Sequence, residues 1–314
     1  MPVSGYSSYI NRPSSVPAQV PSGHVPSPAA RTRAVADFVT LTKPRVNLLV
    51  VMTTGIGFYL GATGLDPWRV FHALMGTGLV ASGAAAFNQI YERDIDRLMR
   101  RTQSRPLPSG RLDVGEARWF AAALALAGLV ELGLGTTWLA AAVAAATIVS
   151  YALVYTPLKT RTSLATVVGA VPGALPPLIG WAAATGTLPI QAWSLFAIVF
   201  FWQMPHVLAV SWMYREDYER GGIRVLPVVE PDGGSTARQI VSYAAALIPV
   251  SLLPTATGLA GDVYLVAAVA LGLALLGLSV AFARERKRER ARRLFYASLV
   301  YLPVLWVVLI GNRN

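Results

Sequence analysis

Asn88-Gln89-Ile90-Tyr91-Glu92-Arg93-Asp94-Ile95-Asp96 closes an apolar run that otherwise reads as a plain membrane span. Asn88, Glu92 and Asp96 stand at i, i+4 and i+8, so on a helix they form one stripe on one face. An unpaired carboxylate at membrane depth is expensive, and such a stripe therefore demands a function or a partner. A dense basic segment follows at once, with Arg97, Arg100, Arg101, Arg105 and Arg111. Hard oxygen ligands beside fixed positive charge suit a divalent cation carrying a phosphate-bearing substrate. The blander reading is a solvated helix end with local ion pairs of little worth. It fits poorly, because Asn88 and Glu92 sit inside the span and Arg105-Pro106-Leu107-Pro108-Ser109-Gly110 ends the segment in a rigid turn.

The surrounding chain is 54% hydrophobic and only 14% charged over 314 residues, too little polar surface for a water-soluble domain. Windows of about 20 apolar residues are needed to cross a bilayer. The chain offers nine, at about 46–63, 71–91, 117–135, 138–156, 164–184, 191–212, 237–257, 262–283 and 294–311. With the N-terminus cytoplasmic and the C-terminus outside, all of the 27 Lys and Arg except Arg69 and Arg313 fall on the inner side. Positive charge near helix ends marks the cytoplasmic face, so this orientation is the expected one. The net charge of +11 then describes one membrane face, attractive to anionic lipid and anionic substrates, and not a nucleic-acid groove. The absence of cysteine excludes disulfides, thiolate metal sites and a cysteine nucleophile. Residues 1–36 are rich in Pro and Ser without an apolar run and read as a disordered cytoplasmic tail; residues 37–314 form a single membrane domain.

The expected outer loops are short and nearly uncharged, whereas the inner loops carry the chemistry. After the fourth span, Tyr155-Thr156-Pro157-Leu158-Lys159-Thr160-Arg161 offers Lys159 and Arg161. They are either topology signals or, beside an anion site, diphosphate ligands, one a point charge and one a fork. The sixth span carries Trp202-Gln203-Met204-Pro205-His206, with Pro205 expected to break the helix, and ends at Glu216-Asp217-Tyr218. His206 is either a packing residue bonded to a neighbouring helix or a contact for a substrate such as a porphyrin metal.

These motifs resemble the intramembrane prenyltransferase superfamily that includes 4-hydroxybenzoate polyprenyltransferase. Its first motif, Asn-Asp-x-x-Asp-x-x-x-Asp followed by Arg-Thr-x-x-Arg-Pro-Leu, matches Asn88, Gln89, Glu92 and Asp96, then Arg101-Thr102-Gln103-Ser104-Arg105-Pro106-Leu107. Gln89 and Glu92 point to the heme O synthase (protoheme IX farnesyltransferase) branch. Leu41-Thr42-Lys43-Pro44-Arg45, Pro176-Pro177-Leu178-Ile179-Gly180-Trp181, Pro205-His206, Asp217-Tyr218 and Gly222-Ile223-x-x-Leu226-Pro227-Val228 match the same branch, over roughly residues 37–311. Two departures stand out. The second acidic motif keeps only Asp217, and Thr162–Gly169 lacks an Asn that many members of the branch carry.

The resemblance implies an all-α bundle of nine transmembrane helices around a central cavity in the cell (inner) membrane, with the site toward the cytoplasm. It implies transfer of farnesyl from farnesyl diphosphate to a vinyl group of protoheme IX with addition of water. Mg²⁺ would be held by Asn88, Glu92, Asp96 and Asp217, the diphosphate by Arg101, Arg105, Lys159 and Arg161, and heme by His206. Membrane lipid and a downstream heme-modifying enzyme or oxidase assembly are the expected partners. Three rivals stand beside this reading: an aromatic acceptor from a quinone or chlorophyll pathway, a transporter built on intramembrane carboxylates, and a heme-delivery protein without catalysis.

Overall fold

The computed structural model describes residues 28–314; most of the expected tail, with His24, lies outside the described residues. The chain begins with α1 (Pro28–Leu41), α2 (Pro44–Gly61) and α3 (Pro67–Tyr91), which gives way at Glu92 to the short α4 (Arg93–Leu98). Next come α5 (Val114–Gly135) and α6 (Trp138–Ile148), the latter running through a π-helical stretch, Val149–Tyr155, into α7 (Thr156–Leu158). The helices α8 (Ala165–Ala174) and α9 (Pro176–Thr185) make one rod interrupted at Leu175. After α10 (Ile190–Met213), the short α11 (Arg215–Arg220) and α12 (Leu226–Val229) lead into α13 (Gly234–Ser251) and α14 (Leu253–Ala256). The long α15 (Asp262–Glu285) and α16 (Arg288–Gly311) close the bundle. Among the described residues there is no strand, only a single bridge between Ala260 and Arg313.

Among the described residues, eight helical segments are long and apolar enough to cross a membrane. They match the second to ninth expected spans. The first is represented by α2, whose Pro44, Arg45 and Asn47 dilute an 18-residue helix, and it is not one of the eight. Pro205 does not break its helix as expected. α10 runs through it without interruption, in keeping with the tolerance of membrane helices for proline.

Lipid offers helices no hydrophobic reason to associate, so close packing of small residues has to hold them together. At the α3–α5 contact, a Cβ on Gly76 would lie 2.7 Å from Leu132 Cγ, and one on Gly128 would lie 2.6 Å from the Gly76 carbonyl. At the α2–α9 contact, Gly57 faces the carbonyl of Pro177 and Gly180 faces the carbonyl of Thr54, each nearer than any Cβ can approach.

One end of the bundle is pinned by short-loop contacts: Arg69 to the Ala184 carbonyl, Thr137 to the Ala182 carbonyl, and Arg313 to the carbonyls of Tyr59 and Ala62. The other end gathers α4, α7, α11 and α12 with their loops. A Cβ added at Gly180 has nowhere to go without separating two helices, so Gly180→Ala is expected to lose at least the roughly 1–3 kcal/mol of ordinary overpacking. Gly277→Ala, in open space, is expected to be neutral. Thermal unfolding of the two variants in detergent checks the contrast, and equal stability would contradict the packing.

Candidate active site

The polar stripe survives the end of α3. The Glu92 N–H donates to the Asn88 carbonyl at 3.0 Å and the Asp96 N–H to the Glu92 carbonyl at 2.7 Å, so the i+4 stagger continues into α4. Asn88, Glu92 and Asp96 are 1%, 6% and 0% exposed. Each meets a cation from a different stretch of chain. Lys43 Nζ donates to Asn88 Oδ1 at 2.9 Å, Lys159 Nζ to Glu92 Oε1 at 2.6 Å, and Arg105 Nη1 to Asp96 Oδ2 at 2.7 Å. Arg105 and Lys159 balance the two carboxylates, and positive charge for an anion comes from Arg101, which lines the same pocket, with Lys43 beside it. Asp96 Oδ1 is buried without a partner among the described residues.

Local structure presents each cation. Lys43 occupies the turn between α1 and α2 in the left-handed region, at φ 49°. That turn is fixed because Gln89 Nε2 donates to the Leu41 carbonyl at 2.8 Å and Arg111 grips Asp37 at 3.0 Å. The π-helical stretch delivers Tyr151 and Tyr155, and Lys159 Nζ lies 4.3 Å from the Tyr155 ring centroid. The Arg224 N–H donates to the Lys159 carbonyl at 2.8 Å, which ties the loop after α11 to the one after α7. Asn88 Nδ2 donates to Thr156 Oγ1 at 3.4 Å, aiming the amide oxygen at Lys43.

Charge and burial oppose each other here. Burial pushes the Glu92 carboxyl up, but the Lys159 ammonium outweighs it and holds the group below the usual carboxylate range. Burial pushes Lys159 down, and Tyr155 and Glu92 outweigh it, so its ammonium is held well above its ordinary value. Lys43 faces an amide and not a carboxylate; burial, then Arg105 and Lys159, push it down to about 7.

Two cavities meet at this point. A polar one of about 160 Å³ is lined by the stripe and its cations together with Arg101, Tyr218 and Arg224. An apolar one of about 270 Å³ runs from it into the bundle past Ala84, Ala85, Ala170, Gly173 and Met204. Lys43, Tyr151, Tyr155, Thr166 and Val207 line both. The joined space has a cationic head and a greasy tail, the shape of an amphiphilic anion.

The sequence model of the UbiA prenyltransferase family matches residues 50–302. The chain belongs to that family. It is 50% identical over 287 residues to a protoheme IX farnesyltransferase of Solibacter usitatus (strain Ellin6076), covering 88% of this chain and 98% of the relative. Its fold is that of a digeranylgeranylglyceryl phosphate synthase, with TM-score 0.75 at 18% identity, covering 88% of this chain and 98% of the other. A UbiA homologue from Archaeoglobus fulgidus bound to GPP and Mg²⁺ superposes with TM-score 0.61 at 16% identity, over 88% of this chain and 99% of that one.

In this UbiA-family chain, Asn88, Glu92, Asp96, Arg101, Arg105 and Lys159 converge on the polar pocket. Asp217 lies on the far side of the Arg100–Arg101 backbone. It accepts those two N–H groups at 3.2 and 3.3 Å, is paired with Arg220, and lines a neighbouring groove. Burial pushes its carboxyl up, and these donors, Arg220 first, outweigh burial and hold it below the usual range. Arg161 is exposed and does not line the polar pocket. His206 sits inside the bundle, with Nδ1 2.8 Å from Ser298 Oγ and its ring 5.1 Å from Trp202 and 4.9 Å from Phe295. Lys43, Tyr151, Tyr155 and Arg224 were not singled out from sequence. Lys43 stood in a motif with no role attached, and the others have no local pattern to mark them. Lys159→Met leaves Glu92 buried without its cation and is expected to destabilise by about 3–5 kcal/mol. Adding Glu92→Gln should restore much of that loss in thermal unfolding; additive losses would contradict the pairing.

Proposed function

We propose that this protein transfers a farnesyl group from farnesyl diphosphate to a vinyl group of protoheme IX, with addition of water and release of diphosphate. The observation that carries the reading is the junction at Tyr151 and Tyr155 of a cationic pocket with an apolar one, in a chain half identical to a relative of that name. Lys43, Lys159, Arg101 and Arg105 would hold the diphosphate, and the apolar cavity would hold the isoprenoid chain. A farnesyl chain needs no polar contact along its length, and the cavity wall offers almost none.

A divalent cation fits the head of the site. Among the described residues no three His, Cys, Asp or Glu side chains gather into a metal cage. That is the arrangement Mg²⁺ favours: one or two carboxylates plus substrate phosphates. The unpartnered Asp96 Oδ1 is an oxygen ligand waiting for a cation, with Glu92 and the Asn88 amide beside it, and the A. fulgidus homologue was seen with GPP and Mg²⁺. When bound, the metal supplies further positive charge for the departing oxygens.

The protein's own cations perform the same service. The allylic C–O bond breaks with its electron pair on diphosphate, and Lys43, Lys159, Arg101 and Arg105 stabilise that charge where it develops. The vinyl group attacks the allylic carbon, and the carbon left positive beside the porphyrin takes up water and releases a proton. Apolar helix walls keep stray water from the first cation. The count of Lys and Arg supports a cytoplasmic N-terminus, with α2 as the first of nine spans and the site facing the cytoplasm of the cell (inner) membrane.

Purified protein in lipid with Mg²⁺, farnesyl diphosphate and protoheme IX is expected to yield a product heavier by farnesyl plus water, read by mass spectrometry. Glu92→Gln should abolish it in folded protein. Prenylated 4-hydroxybenzoate from the parallel assay, with heme untouched, would overturn the assignment.

A further inference from the structure

Arg101 lines two spaces. One is the polar pocket of the active site; the other is a wide groove at the same end of the bundle. The groove lies between the end of α10, α11 and the turn from α15 to α16, as two hollows of about 520 and 480 Å³ that share Met213, Tyr214 and Arg288. Seven arginines line it against three carboxylates, Glu216, Asp217 and Glu289. Asp217 is already spent on Arg220 and two backbone amides. Ion pairs at this end use Arg220, Arg286 and Arg290 and leave Arg100, Arg215, Arg288 and Arg292 without one among the described residues, all four exposed.

Basic residues beside membrane spans commonly serve orientation alone. Charges with only that task can lie anywhere along their loops. These four come from three separate stretches of chain and line the two joined hollows, Arg100 and Arg215 the first, Arg292 the second and Arg288 both. The walls are aromatic: Trp212, with Arg215 over its ring at 4.7 Å, lines the first hollow, Phe295 and Tyr296 line the second, and Tyr214 stands between them. Phe295 is backed by the His206 ring, which is itself stacked on Trp202 and bonded to Ser298. Arginine forks recognise carboxylates bidentately, and flat aromatic faces suit a flat ligand.

We propose that this groove binds the acceptor through its two propionate carboxylates, with Arg100, Arg215, Arg288 and Arg292 as the donors and the aromatic walls against the macrocycle. The inference rests on the farnesyl-transfer reading above. In protoheme IX the vinyl groups stand on the opposite half of the ring from the propionates. Anchoring the carboxylates in the groove directs the vinyl edge past Arg101 toward the diphosphate pocket, while the charged edge stays in water. His206 is then a positioning residue that supports Phe295 from behind.

The test uses full-length protein in phosphatidylcholine nanodiscs, with protoheme IX or its dimethyl ester, in which only the carboxylates are masked. For wild type the ester is expected to raise the acceptor KM at least about ten-fold, the scale of one charge-assisted hydrogen bond. The double variant R288Q/R292Q is expected to raise the KM for protoheme IX similarly, leave the KM for farnesyl diphosphate unchanged, and lose the preference for acid over ester. Equal use of acid and ester by wild type would overturn the proposal, as would a variant defect of the same size with both acceptors. A defect seen only when phosphatidylglycerol is present would make the groove a lipid headgroup site, and the proposal would again fall. If neither acceptor releases diphosphate, the farnesyl-transfer reading has failed. The groove is then judged by Soret titration alone, where tighter binding of acid than ester in wild type but not in R288Q/R292Q supports it and equal binding overturns it.

Discussion

Everything at the functional end of this bundle depends on one constraint: three polar side chains stacked on one helix face must be compensated at the edge of an apolar bundle. Asn88, Glu92 and Asp96 cannot stay buried alone, so Lys43, Lys159 and Arg105 reach them from three other segments. The compensation fixes the fold locally. It requires the left-handed turn at Lys43, the π-helical end of the fourth long helix that carries Tyr151 and Tyr155 and leads to Lys159, and the compact Arg101–Leu112 turn that folds Arg105 back onto Asp96. Arg101 and Lys43 stand beside these pairs in the same pocket, and among the described residues Asp96 Oδ1 is left without a partner, so what neutralises the stripe also suits it to a metal-bound anion.

The division between head and tail follows from where charge ends. Past Tyr151 and Tyr155 the lining becomes alanine, glycine and methionine, with Gln203 turned aside to donate to the Ala170 carbonyl at 2.7 Å. Small residues serve twice here: they let the backbones of α2 and α9, and of α3 and α5, approach closely, and they leave room beside the polar pocket. An amphiphilic diphosphate matches this gradient from charge to hydrocarbon without further adjustment. The acceptor poses the converse problem, a charged edge that must remain wet and a reactive edge that must reach the bundle. The arginine groove beyond Arg101 lies at the same end of the bundle as the polar pocket and shares that residue with it.

What was legible in the sequence was local. The stripe follows from i+4 spacing, and it held even though the helix breaks at Glu92, because the carbonyl ladder continues across the break. Nine spans are expected from the apolar windows; eight of the described helices are long and apolar enough, and α2, which takes in Pro44, Arg45 and Asn47, falls short. The partners were not legible. Lys43 lies 45 residues from Asn88 and Lys159 lies 67 from Glu92, and no local pattern links such pairs. Asp217 carries the expected motif, yet its oxygens face the Arg100–Arg101 backbone, an arrangement set by how α11 docks. Pro205 reads as a breaker, yet α10 runs through it from Ile190 to Met213, as membrane helices tolerate proline.

The central claim is that the compensated stripe is a metal-dependent diphosphate head. Calorimetric titration of inorganic diphosphate into the protein in nanodiscs, with and without Mg²⁺, tests it most directly. The account predicts binding that requires Mg²⁺ and disappears in Asp96→Asn while the protein stays folded. Binding equally tight without Mg²⁺, or unaffected by Asp96→Asn, would contradict it.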